Sequence, residues 1–447
     1  MPATSFRSRA GSALRAFSER HGRRTLAILA LILVVGGVLR FERVVNPNAD
    51  PGDDAFAYMA LARALYEEQS YGGEEFNDSS DWSPGAPLLY AGVYYATGGA
   101  RDGAARMTQA LLGLAGIFMV YLLGRRLAGP AAGLIAAGGV AIYPPFISST
   151  GAVLSEPPAF FFLPAAILAY LWARDRGGHW PWLVPGALLG VMSLVRPEYM
   201  FAGIVLIALA LAALWRERGL RPAGGATAVL AAAFVLAILP WTIRNYVELE
   251  RVVPISTGSG KALYVGTSLP NDGEYFRVKA SLVERFQGRV LDPESRELDD
   301  VDPTPLFNQV AERYPELSRD AALSKIGKDQ LFDYLGEDPV GYAGMTVRKV
   351  WRMWSAGVGE AMSATPGRVI QVILVILGLA GLLLLALRRR FEALVFAVPI
   401  VVITGIGAIT LAPPRRNEIL MTLVFPLAAA AIVAALGRTR DLSSPRP

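Results

Sequence analysis

Pro51-Gly52-Asp53-Asp54, continuing through Ala55 to Arg63 and then to the loop Trp82-Ser83-Pro84-Gly85-Ala86-Pro87, is the stretch on which the fold of this chain turns. The apolar run Leu26 to Leu39 just before it has the composition of a helix entering a bilayer. Two adjacent carboxylates where such a helix opens to water do not anchor it. Ionisable groups at a lipid boundary point to chemistry or ion handling. Asp also caps helices well, and neighbouring residues on a helix point about 100° apart. One carboxylate is therefore expected to face a site while the other caps the helix beginning near Ala55.

The rest of the composition agrees with a polytopic α-helical membrane protein. Of 447 residues 53% are hydrophobic and only 18% charged, with a mean hydropathy of +0.38. The basic stretch before Thr25 resembles the start of a signal peptide. No small-residue cleavage site follows Leu39, so an uncleaved first span is expected. The absence of cysteine excludes disulfides and thiolate chemistry, and two histidines, His21 and His179, cannot build a histidine cluster. The net charge of +5 does not indicate nucleic acid, because the arginines sit at span ends.

About ten spans are expected, near 25–41, 105–123, 129–146, 155–173, 181–195, 199–215, 223–243, 369–387, 394–411 and 419–436. The span at 223–243 is expected to be interrupted at Pro240. Interfacial helices are expected at 56–66 and at 87–97, the latter too short to cross and so lying along the surface. Arg23-Arg24, Arg125-Arg126, Arg174, Arg176, Arg216, Arg218, Arg388 to Arg390, Arg438 and Arg440 would all fall on one side, which the positive-inside rule makes cytoplasmic. The expected organisation is a basic N-terminus (1–24), a transmembrane catalytic module (25–246) with a first outer loop (42–103), an outer soluble insertion of α+β type (247–366), C-terminal spans (367–436) and a tail (437–447). Thr257-Gly258-Ser259-Gly260-Lys261 reads as turn and strand.

The same threading places Asp53, Asp54, Glu156, Arg196, Glu198, Arg244, Lys261, Arg415 and Arg416 at or beyond the outer face. Arginine and lysine suit a phosphate, and a carboxylate suits a proton leaving a hydroxyl or amine. A polar cavity over an apolar wall would fit a lipid-linked phosphosugar. The competing reading is that the arginines snorkel and the acids are solvated.

In order along the chain, Asp53-Asp54-Ala55-Phe56-Ala57-Tyr58, Ser83-Pro84-Gly85-Ala86-Pro87-Leu88, Tyr121-Leu122-Leu123-Gly124-Arg125, Ser155-Glu156-Pro157, Leu194-Val195-Arg196-Pro197-Glu198 and Pro240-Trp241-Thr242-Ile243-Arg244-Asn245-Tyr246 resemble the GT-C superfamily of integral membrane glycosyltransferases. The similarity is to the protein O-mannosyltransferase and aminoarabinose transferase type and covers almost the whole chain. Three features depart from it: Trp82-Ser83-Pro84 lacks the basic residue of the aminoarabinose transferases, the insertion lacks β-trefoil motifs, and Arg415-Arg416-Asn417 stands where Arg-Tyr is common.

The resemblance implies a polyprenyl-phosphate-sugar donor used on the outer face of a bacterial cytoplasmic membrane, with Asp53 as base. Glu156 would orient the acceptor or replace that base, and Asp54, expected to cap the helix behind Asp53, is the other catalytic candidate of the pair. Arg196, Arg244, Lys261, Arg415 and Arg416 are candidates for the donor phosphate. Tyr58, Trp82, Glu198 and Tyr246 are candidates for sugar or acceptor, which could be a glycan, lipid or protein. No cofactor is expected to be required; a divalent cation between Asp53 and Glu156 is the alternative, which two carboxylates are too few to support as a dedicated site. The rival function is a transporter or flippase for a lipid-linked or anionic solute, which helices broken at Pro240 and the Gly-rich spans would allow.

Overall fold

The computed structural model describes residues 22–48, 52–72 and 79–437. The N-terminus and the C-terminal tail, with the expectations placed on them, lie outside those residues. Apolar side chains dictate a bundle: α1 (Arg23–Val45), α4 (Asp102–Ile142), α5 (Glu156–Arg176), α7 (Tyr199–Arg218), α8 (Leu220–Leu249), α14 (Thr365–Leu387), α15 (Phe391–Ile409) and α16 (Arg415–Ala435) are long and apolar enough to cross a membrane. α16 is the most enclosed, packed by α4, α14 and α5, whereas α1 and α14 turn most of their surface outward. Outward residues such as Leu31, Val34, Val38, Ile373 and Leu379 are apolar and more than half exposed or close to it, as lipid-facing helices require.

Among the described residues eight such elements stand against the ten expected spans, and one of the eight is two helices joined at a reversal. The expected pair at 105–123 and 129–146 forms one element, α4, which reverses at Ala128 and Gly129. Gly129 has φ 84°, open to glycine at no steric cost. Beyond it the arms press together so closely that a Cβ on Gly124 would lie 2.9 Å from the Ala132 carbonyl oxygen. The expected span at 181–195 is α6 (Leu183–Val195), extended to only Trp180 by a short 3₁₀ turn and too short to count as spanning. α8 runs unbroken through Pro240, contrary to the expected interruption.

The α+β insertion is also corrected. Among the described residues there is no strand, and the segment between α8 and α14 folds as α9 (Ser259–Thr267), α10 (Tyr275–Gln287), α11 (Pro303–Ala311), α12 (Arg319–Glu337) and α13 (Pro339–Ser355). The Gly-Ser-Gly run that reads as a turn is a helix start shaped by a distant acid. Asp320 Oδ1 accepts from the backbone N–H of Gly258 at 2.8 Å and of Gly260 at 2.7 Å. A Cβ on Gly260 would fall 2.0 Å from the Asp320 carbonyl oxygen, so α9 can pack on α12 only with glycine there. The insertion has its own core, with Val265, Val283, Leu306, Phe307 and Leu323 essentially buried.

Two short helices complete the frame, α2 (Asp53–Glu67) and α3 (Gly85–Thr97). α3 buries Tyr90 and Tyr94 completely against the bundle. The Tyr90 hydroxyl donates to Gln109, whose amide in turn donates to the Ala152 carbonyl at 2.9 Å. The arginine-rich helix ends gather at one end of the molecule: Arg126 pairs with Asp175 and Glu392, Arg174 with Glu217, and Arg390 with Glu392.

Candidate functional site

At the opposite ends of the same helices, four separate segments deliver charge to one place. Asp54 lies in the first turn of α2 and Tyr58 one turn later. Glu156 opens α5 with Pro157 behind it, where proline's missing N–H costs nothing and the helix start favours a carboxylate. Arg196 ends α6 in extended backbone, φ −141° and ψ 101°. Arg415 and Arg416 begin α16 after Pro413-Pro414.

Glu156 is 4% exposed. Its Oε1 pairs with Arg196, and Arg415 Nε approaches the same oxygen at 3.4 Å. The Arg415 guanidinium also pairs with Asp54. The Tyr58 hydroxyl donates to Ser155 Oγ at 3.0 Å, and Ser155 Oγ lies 3.4 Å from the other oxygen of Glu156. Trp82 sets its ring edge-on to Tyr58 at 5.3 Å between centroids. Asp54, Tyr58, Glu156, Arg196 and Arg415 thus form one connected network walled by aromatic rings, with two carboxylates balancing two guanidiniums. Burial pushes the Tyr58 phenol up, with Arg196 pulling against it, so Tyr58 acts there as a hydroxyl donor.

The remaining candidates border this network at different removes. Arg416 donates to Thr410 Oγ1 at 3.0 Å and faces Glu198 and Tyr199. Lys261 points its ammonium at the rings of Phe307 and Tyr275, 5.7 and 6.0 Å away, and interacts with Asp81 and Asp54. Burial draws its affinity for a proton down, and Asp81 partly restores it. Arg244 donates to the Tyr71 carbonyl at 2.9 Å and lies over the Trp241 ring, so its role here is to hold the first loop against α8. Tyr246 is 57% exposed and joins none of these contacts.

Asp53 begins α2, but its side chain lies outside the described residues, and the assignment of the base to it lies there too. The N-cap of α2 is Gly52, with no side-chain cap. Asp54, expected to cap if Asp53 faces the site, is instead an ion-pair partner of Arg415.

Sequence reasoning missed three contributors. Glu418 lies one turn beyond Arg415, is 3% exposed, and has an oxygen with no hydrogen-bond partner. It is near enough to interact with Glu156, Arg196 and Arg415. An acid at the head of an apolar span was the available signal. Asp81 pairs with Arg319 and accepts from the Thr257 hydroxyl, joining the first loop to the insertion beside Trp82. Ser155 bridges Tyr58 to Glu156, a role no pattern announces. Among the described residues no group of three or more His, Cys, Asp or Glu could hold a metal ion, and the Glu156 oxygen a divalent ion would share is taken by two guanidiniums.

Residues 81–243 match the family described as dolichyl-phosphate-mannose-protein mannosyltransferase. The archaeal oligosaccharyltransferase AglB from Archaeoglobus fulgidus, solved with an inhibitory peptide and a dolichol-phosphate, aligns over 95% of this chain and 52% of its own at a TM-score of 0.56 and 15% identity. The oligosaccharyltransferase of the same organism in its apo form aligns over 96% and 54%, at 0.56 and 16%. ArnT from Cupriavidus metallidurans bound to undecaprenyl phosphate aligns over 92% and 77% at 16% identity, with a TM-score of only 0.39. The chain spans about half the length of the archaeal enzymes. No curated protein matches it in sequence. At these identities the likeness is one of fold alone.

Proposed function

We propose that this chain transfers a sugar from a polyprenyl-phosphate donor to an acceptor hydroxyl or amine, in one inverting displacement at the membrane boundary where Asp54, Glu156, Arg196 and Arg415 meet. The observation that supports this best is that network itself. Four segments distant in sequence bring two acids and two guanidiniums to the end of the bundle away from its arginine-rich helix ends. The positive-inside rule then makes the site periplasmic or extracellular, in a bacterial cytoplasmic membrane.

The acceptor's lone pair forms the new bond to the anomeric carbon as the bond from that carbon to the phosphate oxygen breaks. The bonding electrons leave with the polyprenyl phosphate, and the acceptor's proton goes to a carboxylate, which is Asp53 on the family resemblance. The lipid phosphate is already a good leaving group, so the protein's main tasks are to receive that proton and to stabilise the negative charge that grows on the phosphate. Arg415, whose guanidinium is divided between Asp54 and Glu156, is placed to take a share of that charge, and Arg196 beside it another. Lys261, whose ammonium faces the rings of Phe307 and Tyr275, is a third cation for the phosphate. Glu156, already bound by two guanidiniums, orients them and is a poor base. Trp82 and Tyr58 form a wall for the sugar, and Glu198 beside Arg416 a polar edge for the acceptor, be it glycan, lipid or protein. A carrier reading loses one of its two supports, because α8 is continuous through Pro240.

Donor binding tests the phosphate assignment. Arg196→Ala and Arg415→Ala should each raise the apparent KM for a polyprenyl-phosphate sugar by about 10-fold or more, with less effect on acceptor use. Tyr246→Phe, away from the network, should change neither. Donor KM unchanged in both arginine variants would remove the phosphate from this site.

A further inference from the structure

The insertion meets the membrane through a surface that the sugar-transfer reading does not use. α13 begins at Pro339, capped by Asp338, whose side chain accepts from the Gly341 N–H at 2.8 Å. Its inner face buries Tyr342, Met345, Lys349 and Met353. Its outer face repeats apolar residues at helical spacing: Val340 is 81% exposed, Val347 68% and Trp351 57%, with Ala343 exposed between them. The stripe does not end in water. It runs onto the first turns of the span α14, where Val369, Ile370 and Ile373 are 53%, 53% and 50% exposed as lipid-facing residues are.

Where the two helices meet lies a groove of about 320 Å³, with Val369, Val372 and Ile373 as its floor and Trp351 as one wall. Three polar groups sit along it. The Ser355 hydroxyl is in a residue 1% exposed and has no hydrogen-bond partner, an arrangement that ordinarily costs stability unless something fills it. Arg368 is exposed and makes no ion pair among the described residues. Thr365, also on the lining, begins α14, whose N-terminus has no side-chain cap. A guanidinium, two hydroxyls and a helix N-terminus above an apolar floor open to lipid suit a phosphate carrying an acyl chain.

We propose that α13 lies in the membrane interface and that its groove with α14 holds the headgroup of one anionic phospholipid of the surrounding bilayer. Trp351 sits at headgroup depth, as interfacial Trp does, and Val340, Ala343 and Val347 dip into the acyl boundary. The opposite face of α13 gives this seat its consequence. Lys349 donates to the Gly266 carbonyl at the end of α9 at 2.6 Å and to the Ala408 carbonyl at the end of α15 at 3.1 Å. Asn417, next to Arg416, donates to the Ala356 carbonyl at 3.1 Å. A lipid bound on the outer side of α13 therefore fixes the insertion to the spans.

The test uses the full chain in nanodiscs of phosphatidylcholine with phosphatidylglycerol. The protein has no cysteine, so Val347→Cys carries one environment-sensitive fluorophore, and Val290→Cys, 81% exposed on the insertion, carries the control. The label at residue 347 should be quenched strongly by headgroup-proximal spin-labelled lipid and the control hardly at all. In native mass spectrometry the wild type should retain one phosphatidylglycerol that Arg368→Gln binds about 10-fold more weakly, with both proteins equally folded by circular dichroism. Equal quenching at the two positions would overturn the interfacial placement, as would protection of residue 347 by a second copy of the chain. Equal phosphatidylglycerol retention would overturn the bound lipid. Displacement of that lipid by polyprenyl phosphate at equimolar amounts would also overturn the proposal, by assigning the groove to the donor. None of these outcomes depends on whether the chain transfers sugar.

Discussion

Glu156 accepts two guanidiniums in a buried setting, and that arrangement makes the smallest substitutions informative. Breaking a buried ion pair by removing one partner leaves an uncompensated charge, typically at a cost of about 3–5 kcal/mol, whereas replacing both partners costs far less. Glu156→Gln and Arg196→Met should each lower the thermal midpoint markedly in detergent, and the double variant should recover part of that loss; additive losses would show that the two side chains do not depend on each other. The proposed mechanism gives the neighbouring aspartates different roles. Asp54 is bound to Arg415, so Asp54→Asn should mainly raise donor KM. Asp53→Asn keeps the volume but removes the proposed base, and should cut turnover roughly 10²-fold with donor binding nearly intact. The reverse pattern would make Asp54 the base. At this scale Asp54, Glu156, Arg196 and Arg415 were legible because charges at the ends of apolar runs are conspicuous. Ser155 and Glu418 were not: a serine before a helix looks like an ordinary cap, and Glu418 is masked by the two arginines just before it. Arg244 and Tyr246 lie apart from that network: a motif places residues in order along the chain but does not say which way they point.

Elements were legible where apolar period and length agree and illegible where a distant partner decides. The start of α9 depends on an acid some sixty residues away in sequence, which no local pattern of Gly and Ser could reveal. The two arms of α4 read as separate helices from the sequence, and they are: the chain reverses between them at Ala128 and Gly129. α13 offers a measurable property of its own. Burial, with Arg416 and Arg352 adding to it, pushes the Lys349 ammonium down to about 7. An unfolded chain keeps a lysine protonated to about pH 10, so between about pH 7 and that point the unfolded state binds more protons and stability rises with pH, by at most about 1.4 kcal/mol per unit. Below pH 7 both states are charged and the slope vanishes. The thermal midpoint of the wild type should therefore gain on that of Lys349→Met from about pH 7 to about pH 9. A constant gap between the two would show that Lys349 is fully charged in the fold.

For the molecule as a whole, the sequence put arginine-rich helix ends on one side and the candidate site on the other, and the helix ends do gather as a group of ion pairs. Which side faces the cytoplasm follows from the positive-inside rule alone. Val290→Cys should react with an impermeant thiol reagent on intact cells, and Arg176→Cys, exposed at the arginine-rich end, only after permeabilisation; the opposite order would invert the topology. The central claim is sugar transfer, and turnover addresses it most directly. Purified protein in nanodiscs should be incubated with radiolabelled polyprenyl-phosphate sugars and an envelope extract as acceptor, and the anomeric configuration of the product compared with that of the donor. The account predicts label transferred to acceptor with inverted configuration, polyprenyl phosphate released in equal amount, and loss of both in Asp53→Asn. Donor moved across the bilayer without cleavage of its glycosidic bond, or a product that retains the donor's configuration, would contradict it.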